Sequence, residues 1–96
     1  MTIYVVKTGS ETLRIREEDF GCTIWSRDKY AEGDASTLDV LRRLSEGNSI
    51  EKITADISEE NDIPLKEVYT GLLPMFQELS KAGWFLEELK MLEDKQ

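Results

Sequence analysis

Residues 64–84 read PLKEVYTGLLPMFQELSKAGW, and this stretch is the starting point for predicting the fold. Its apolar residues recur at the spacing of an amphipathic helix, namely at Val68, Leu72, Leu73, Phe76 and Leu79. Pro64 suits the first helical turn, where its missing N–H costs no hydrogen bond. Gly83 suits a left-handed helix stop. The pattern predicts a long helix from Pro64 to Ala82, and Pro74 inside it predicts a kink.

Three further helices are predicted around this one. Ser36, followed three residues later by Asp39, is the expected cap of a helix that ends near Gly47. Asn48 is the expected cap of the next helix, whose buried stripe is built from isoleucine and alanine. Residues 85–96 carry apolar side chains on one face and charged ones on the other, which predicts a C-terminal helix.

The N-terminal third favours strands. Residues 2–7, 12–17 and 20–26 are rich in β-branched and aromatic residues or alternate apolar with polar ones. In the third stretch Phe20, Cys22 and Ile24 are expected on one face, with Trp25 opposite and partly exposed. Residues 27–35 are polar and predict either a loop or a weak strand around Tyr30.

The order of these elements predicts an α+β fold of winged helix-turn-helix-like type. A small N-terminal antiparallel β-sheet (residues 1–35) is followed by three helices (residues 36–84) and a C-terminal helical extension (residues 85–96). At 96 residues, the chain is expected to form one domain.

Charge argues against the DNA-binding role that a helix-turn-helix pattern suggests. The formal net charge is -8, and residues 36–96 hold seven basic against thirteen acidic residues. Nucleic-acid binding depends on Lys and Arg that neutralise phosphates. The helical part is the more acidic part, so no nucleic-acid partner is expected.

Composition also bears on catalysis and compartment. The chain has no histidine and one cysteine, Cys22, so the residues that most often serve as general base or metal ligand are scarce. No glycine-rich phosphate loop is present. We expect no enzymatic activity, no catalytic residues, no metal and no cofactor. No membrane span or secretory signal is recognisable, so a cytoplasmic location is expected.

Residues 12–85 resemble the PqqD-like family, the recognition element of pathways that make ribosomally synthesised and post-translationally modified peptides. Three stretches carry the resemblance: LRIREEDFGCTIWSRD, STLDVLRRLSEGNSIEKITADIS and DIPLKEVYTGLLPMFQELSKAGWF. The segment REEDFG is similar to the subset that partners radical S-adenosylmethionine maturases. Residues 29–35, KYAEGDA, depart from the β-branched and aromatic third strand that is usual in the family.

The resemblance implies a non-catalytic adaptor. In such proteins the leader region of a precursor peptide adds as an antiparallel strand to a sheet edge, beside a wall formed by the third helix. The adaptor then presents the peptide to a modifying enzyme. The partners implied are a precursor peptide and a radical S-adenosylmethionine enzyme.

Carried onto this sequence, the docking edge would be residues 27–32, and residues 20–26 are the alternative edge. Tyr69 and Leu73 are expected to be more exposed than Leu72 and Phe76. The full set of expected peptide-binding residues is Arg27, Lys29, Tyr30, Ala31, Lys66, Val68, Tyr69, Leu72, Leu73 and Phe76.

Two alternatives stay open from the sequence. One is a winged-helix DNA-binding regulator, which requires a basic recognition helix. The other is a structural, protein-binding subunit of an enzyme complex that contacts its partner through the C-terminal helix.

Overall fold

The computed structural model of the chain describes residues 2–96. The elements are, in order, β1 (Ile3–Thr8), β2 (Glu11–Glu18), β3 (Gly21–Ser26), β4 (Lys29–Gly33), α1 (Ala35–Ser45), α2 (Ile50–Asn61), α3 (Leu65–Ser80) and α4 (Leu86–Asp94). This antiparallel sheet followed by helices is the predicted α+β fold. The winged-helix detail stays a prediction.

The chain forms two compact units. The first runs to Asn48 and holds the sheet and α1, whereas the second begins at Ser49 and holds α2, α3 and α4. The predicted single domain over residues 1–96 stays a prediction.

The sheet of the first unit is a meander in the order β1-β2-β3-β4, with every neighbouring pair antiparallel. Leu13 and Ile15 are fully buried while Arg14 and Arg16 are exposed, so one face of β2 is core and the other faces solvent. Helix α1 packs on the sheet. We call the sheet face that carries Leu13 and Ile15 the inner face, and the opposite face the outer face.

β3 differs from its prediction at its first residue. Cys22 and Ile24 are fully buried as expected, but Phe20 lies in the β2–β3 turn and is 53% exposed. The strand begins only at Gly21, whose backbone lies so close to the β4–α1 junction that an added Cβ would come within 2.3 Å of the carbonyl carbon of Asp34. The close approach fixes the strand start there and leaves Phe20 outside the ladder.

The helix caps of α1 and α2 also differ from prediction. Asp34, and not Ser36, caps α1, and its carboxylate accepts a hydrogen bond from the backbone N–H of Thr37 at 2.9 Å. Ser49, and not Asn48, caps α2. The Asn48 side chain instead donates to the carbonyl of Arg43 at 3.1 Å, closing the end of α1.

In the second unit α3 packs against both α2 and α4. α3 begins at Leu65 after Pro64 and ends at Ser80, slightly inside the predicted limits, and it continues through Pro74. Gly83 has the predicted left-handed backbone, with φ of 82°.

α4 begins at Leu86, one residue later than predicted, because Phe85 is itself left-handed, with φ of 58°. The buried ring of Phe85 meets that of Phe76 edge-on at 5.7 Å between centroids. No helix in residues 2–96 has the length and apolar character needed to cross a membrane.

Candidate functional site

The weak strand predicted around Tyr30 forms, and it is an edge strand. β4 pairs with β3 alone, through a hairpin whose two-residue loop is Arg27 and Asp28. Arg27 is exposed and has a left-handed backbone, with φ of 56°. A positive φ in the first loop residue suits the twist of a two-residue hairpin, although glycine is the usual residue there.

β3 is not an edge. It pairs with β2 on one side and with β4 on the other. The alternative docking edge over residues 20–26 is therefore wrong, because the main-chain groups of β3 already serve its two neighbours.

The hairpin register determines which groups of β4 face outward. Bonded and non-bonded pairs alternate along an antiparallel ladder, and a two-residue loop is closed by a bonded pair. Ser26 and Lys29 flank the loop, so Lys29 and Ala31 direct their N–H and C=O groups towards β3. Tyr30 and Glu32 then direct theirs to the open side of the sheet. We call the strand Lys29–Gly33, with this open side, the β4 edge.

Aromatic side chains line the outer face beside the β4 edge. Tyr30 is 65% exposed and lies directly opposite Trp25 in the β3–β4 register. Trp25 is partly exposed, as predicted. The guanidinium carbon of Arg16 lies 6.0 Å from the Trp25 ring centroid, within range for a cation–π contact.

Polar side chains order this aromatic surface. Glu18 accepts hydrogen bonds from the Thr23 hydroxyl at 2.7 Å and from Arg16 Nε at 2.8 Å. These bonds, that from Thr23 first, lower the pKa of Glu18. The Tyr30 hydroxyl donates to Glu32 at 3.0 Å, and this bond raises the pKa of Tyr30. The phenol is thus held as a hydrogen-bond donor to Glu32.

Hydrogen bonds on the inner face hold the loop end of the β3–β4 hairpin in place. Glu11 on β2 accepts from Lys29 Nζ at 2.8 Å and from the Ser26 hydroxyl at 3.1 Å. Ala31 lies opposite the buried Ile24. Of the four expected peptide-binding residues in this region, Lys29 and Ala31 face inward, whereas Arg27 and Tyr30 are exposed.

The residues expected on α3 divide in the same way. Val68, Leu72 and Phe76 are buried, whereas Tyr69 and Leu73 are partly exposed, as predicted. These α3 residues belong to the second unit and β4 belongs to the first. Their joint role as two walls of one groove stays a prediction of the resemblance.

The end of α4 contacts the partly exposed flank of α3. Lys95 Nζ lies 6.0 Å from the Tyr69 ring centroid, and the Thr70 hydroxyl donates to Gln96 at 3.2 Å. Lys66, also expected at the site, is exposed in the first turn of α3.

The charges on α3 do not form a basic surface. Glu67 follows Lys66 in the first turn, and Lys81 just past the last turn pairs with Glu78 at 3.0 Å. This arrangement differs from the basic recognition helix that the DNA-binding alternative requires.

Four residues around the aromatic surface were missed from the sequence: Arg16, Glu18, Thr23 and Glu32. Their signal lies in the strand registers, of which the two-residue loop Arg27–Asp28 fixes that of β3 and β4, and the Asp19–Phe20 turn that of β2 and β3. Counting outward from the Arg27–Asp28 loop pairs Tyr30 with Trp25 and Glu32 with Thr23.

Within residues 2–96 no three His, Cys, Asp or Glu side chains come together as a metal site. No protein-family model, curated protein or solved structure matches this chain. The PqqD-like resemblance thus rests on the residues quoted for it.

Proposed function

We propose that this chain is a non-catalytic recognition element that binds the leader region of a ribosomally made precursor peptide and presents it to a modifying enzyme. The leader pairs antiparallel with the β4 edge. A radical S-adenosylmethionine enzyme is the proposed enzyme partner, and the cytoplasm is the proposed location.

The observation that carries the proposal is the open side of β4. Tyr30 and Glu32 offer main-chain donors and acceptors on a strand that has one neighbour. An extended peptide that pairs there gains backbone hydrogen bonds that are largely independent of its sequence. Open strand edges favour aggregation, so proteins usually cover, shorten or use them.

Selectivity would come from the outer face. A peptide residue that pairs with Tyr30 or Glu32 directs its own side chain to the same face as theirs, because paired residues share a face. It would contact the exposed Tyr30 ring, which lies between the peptide and Trp25 on β3. An apolar or aromatic peptide residue fits this surface.

Replacing Tyr30 tests the main-chain pairing. Tyr30→Pro and Tyr30→Val both remove the phenol, but only proline removes the outward N–H, and an edge position tolerates it. A short precursor is sought among the genes beside that for this chain, and a synthetic copy of its N-terminal segment is the probe. We expect micromolar binding by the native chain and by Tyr30→Val, and binding at least about tenfold weaker for Tyr30→Pro. Equal affinities for the two variants, or no binding by the native chain at roughly 100 μM, would contradict the proposal.

Fluorescence locates the peptide independently. Trp25 is partly exposed beside Tyr30, whereas Trp84 is fully buried. In a Trp84→Phe background, saturating peptide should shift Trp25 emission and protect it from acrylamide quenching. An unchanged spectrum at saturation places the peptide elsewhere.

The contribution of α3 is tested separately. Tyr69→Ala and Leu73→Ala remove the partly exposed side chains of its flank. Both should weaken peptide binding if the groove implied by the resemblance forms, whereas Gln77→Ala on the same helix should leave it unchanged. Native affinity in all three variants would restrict the site to the β4 edge.

Enzyme association is tested at α4. Deleting residues 85–96 is unsuitable because Phe85 and Leu92 are core residues. Leu86 is 56% exposed, so Leu86→Lys changes the surface and leaves the core intact. Loss of enzyme association with native peptide affinity would assign α4 to the enzyme. Loss of both enzyme association and peptide binding would contradict the use of separate surfaces for the enzyme and the peptide.

A further inference from the structure

The sheet has a second open edge, at β1. This strand pairs with β2 alone, and the Gly9–Ser10 loop joins the two strands. The bonded pairs that alternate outward from this loop leave the N–H and C=O groups of Ile3, Val5 and Lys7 unpaired on the open side. We call the strand Ile3–Thr8, with this open side, the β1 edge.

The ladder next to β1 supports this assignment. The N–H of Glu17 donates to the carbonyl of Thr2 at 3.1 Å, so these two residues form a bonded pair. Counting forward along β1 from Thr2, every second residue bonds to β2, and Ile3, Val5 and Lys7 fall between. The alternation counted from the Gly9–Ser10 loop and the Glu17–Thr2 bond agree.

Apart from Lys7, the β1 edge lacks the usual features that protect an edge strand. Ile3 and Val5 are each 51% exposed, and β1 contains no proline or glycine. Lys7 is the single charged residue in residues 2–10 of a chain with net charge -8. An open, largely apolar edge of this kind is a template for pairing with another strand.

We propose that two copies of this chain pair through their β1 edges, antiparallel, about a twofold axis at Val5. In this register Val5 lies opposite Val5 of the second copy, and Ile3 lies opposite Lys7. All the open main-chain groups of Ile3, Val5 and Lys7 are then used. The two sheets become one continuous sheet of eight strands.

Charge and symmetry favour a second copy as the occupant. A twofold-symmetric contact requires a surface that complements itself. In this register Val5 lies opposite Val5, and Lys7 lies opposite the aliphatic side chain of Ile3. No carboxylate lies on β1, so the paired strands place no acidic side chains of the two copies directly opposite each other. Like charges directly opposite would destabilise a strand pair, and none occur here.

The contact is small, so the dimer is weak. One pair of short strands buries less surface than a standard protein interface, which places the expected dissociation constant between about 10 μM and 1 mM. β1 and β4 are opposite edges of the sheet, so dimerisation leaves both β4 edges open. The inference does not depend on the proposed function.

Sedimentation velocity of the whole chain, from about 5 μM to 1 mM, is the test. Val5→Lys and Val5→Glu place like charges on the axis, and each should weaken dimerisation at least about tenfold. An equimolar mixture should regain it, because Lys and Glu then face each other. Phe20→Lys is the matched control, since Phe20 is 53% exposed but lies outside the strands.

The proposal is overturned by a native chain that stays monomeric to about 1 mM. It is equally overturned by native-like dimerisation of Val5→Lys, or by a mixture that stays monomeric. Circular dichroism of each variant verifies that it is folded.

Discussion

At the scale of the residue, the start of α1 shows how neighbouring structure chooses between two caps. Ser36 has Asp39 at the capping-box spacing, yet Asp34 caps the helix with an extended backbone. β4 ends at Gly33, and Gly33 lies against the first turn of α1. An added Cβ there would come within 2.6 Å of Thr37 Cγ2. The chain must turn into α1 at once, and Asp34 is the residue at that turn.

Asp34→Ala should destabilise the protein by about 1 kcal/mol at pH 7. The backbone N–H of Thr37 is the main cause that lowers the pKa of Asp34 from 3.8. A lowered folded pKa stabilises the fold above the unfolded value, and this stabilisation is lost as pH falls through the folded pKa. Urea unfolding should therefore show a difference that shrinks below about pH 4. The matched variant Ser36→Ala should change stability little, and an equal loss there would contradict the assigned cap.

Cys22 should be unreactive in the folded protein. Its side chain is fully buried, and burial is the main cause that raises the pKa of its thiol to about 11. At pH 8 only about one thiol in a thousand is then the reactive thiolate. Labelling by a thiol-reactive disulfide reagent should be at least about a hundredfold slower in buffer than in concentrated urea. Equal rates would mean that Cys22 is accessible in the folded protein.

At the scale of the element, β4 shows how weak a strand signal can be. Its sequence is KYAEG, with one β-favouring residue, and the sequence left open whether it is a loop or a strand. It forms because the two-residue loop brings residues 29–33 alongside β3, whose main-chain groups on that side pair with them. The bond from Lys29 to Glu11 holds the start of the strand in place. Pairing with β3 outweighs a low intrinsic preference.

In α3, Gly71→Ala should stabilise the protein by about 0.5–1 kcal/mol. A Cβ at Gly71 meets nothing within 4 Å, and alanine loses less backbone entropy in a helix than glycine. Thermal and urea unfolding measure the gain. Gly33→Ala is the contrasting variant, expected to destabilise because its Cβ would clash with the Thr37 side chain. A loss of stability in Gly71→Ala would contradict the open environment of Gly71.

At the scale of the whole molecule, net charge is the dominant property. With a net charge of -8, the excess acidic side chains repel one another in the folded state, and they also weaken contact with other acidic molecules. Exposed ion pairs such as Lys52–Asp56, at 3.0 Å, offset little of this repulsion. Salt should therefore stabilise the chain.

Raising NaCl from about 20 mM to 500 mM should increase the Tm by about 3–5 °C, because the added ions screen this repulsion. Circular dichroism melting curves measure the shift. Glu59→Lys should raise the low-salt Tm and reduce its salt response, since it adds positive charge near the C-terminus of α2, where the helix dipole favours it. A Tm that falls with salt would show that attractive ion pairs outweigh the net repulsion.

The sequence by itself determined the types of every element except β4, the buried faces of β2 and α3, and the left-handed stop at Gly83, because periodicity and glycine conformation are local properties. Tertiary structure decided the rest. Whether residues 27–35 form a strand, which strands are edges and which residue caps α1 all depend on contacts between separate elements. The candidate site depends on these contacts most, because Tyr30 and Glu32 present an ordered open edge only once β4 has paired with β3.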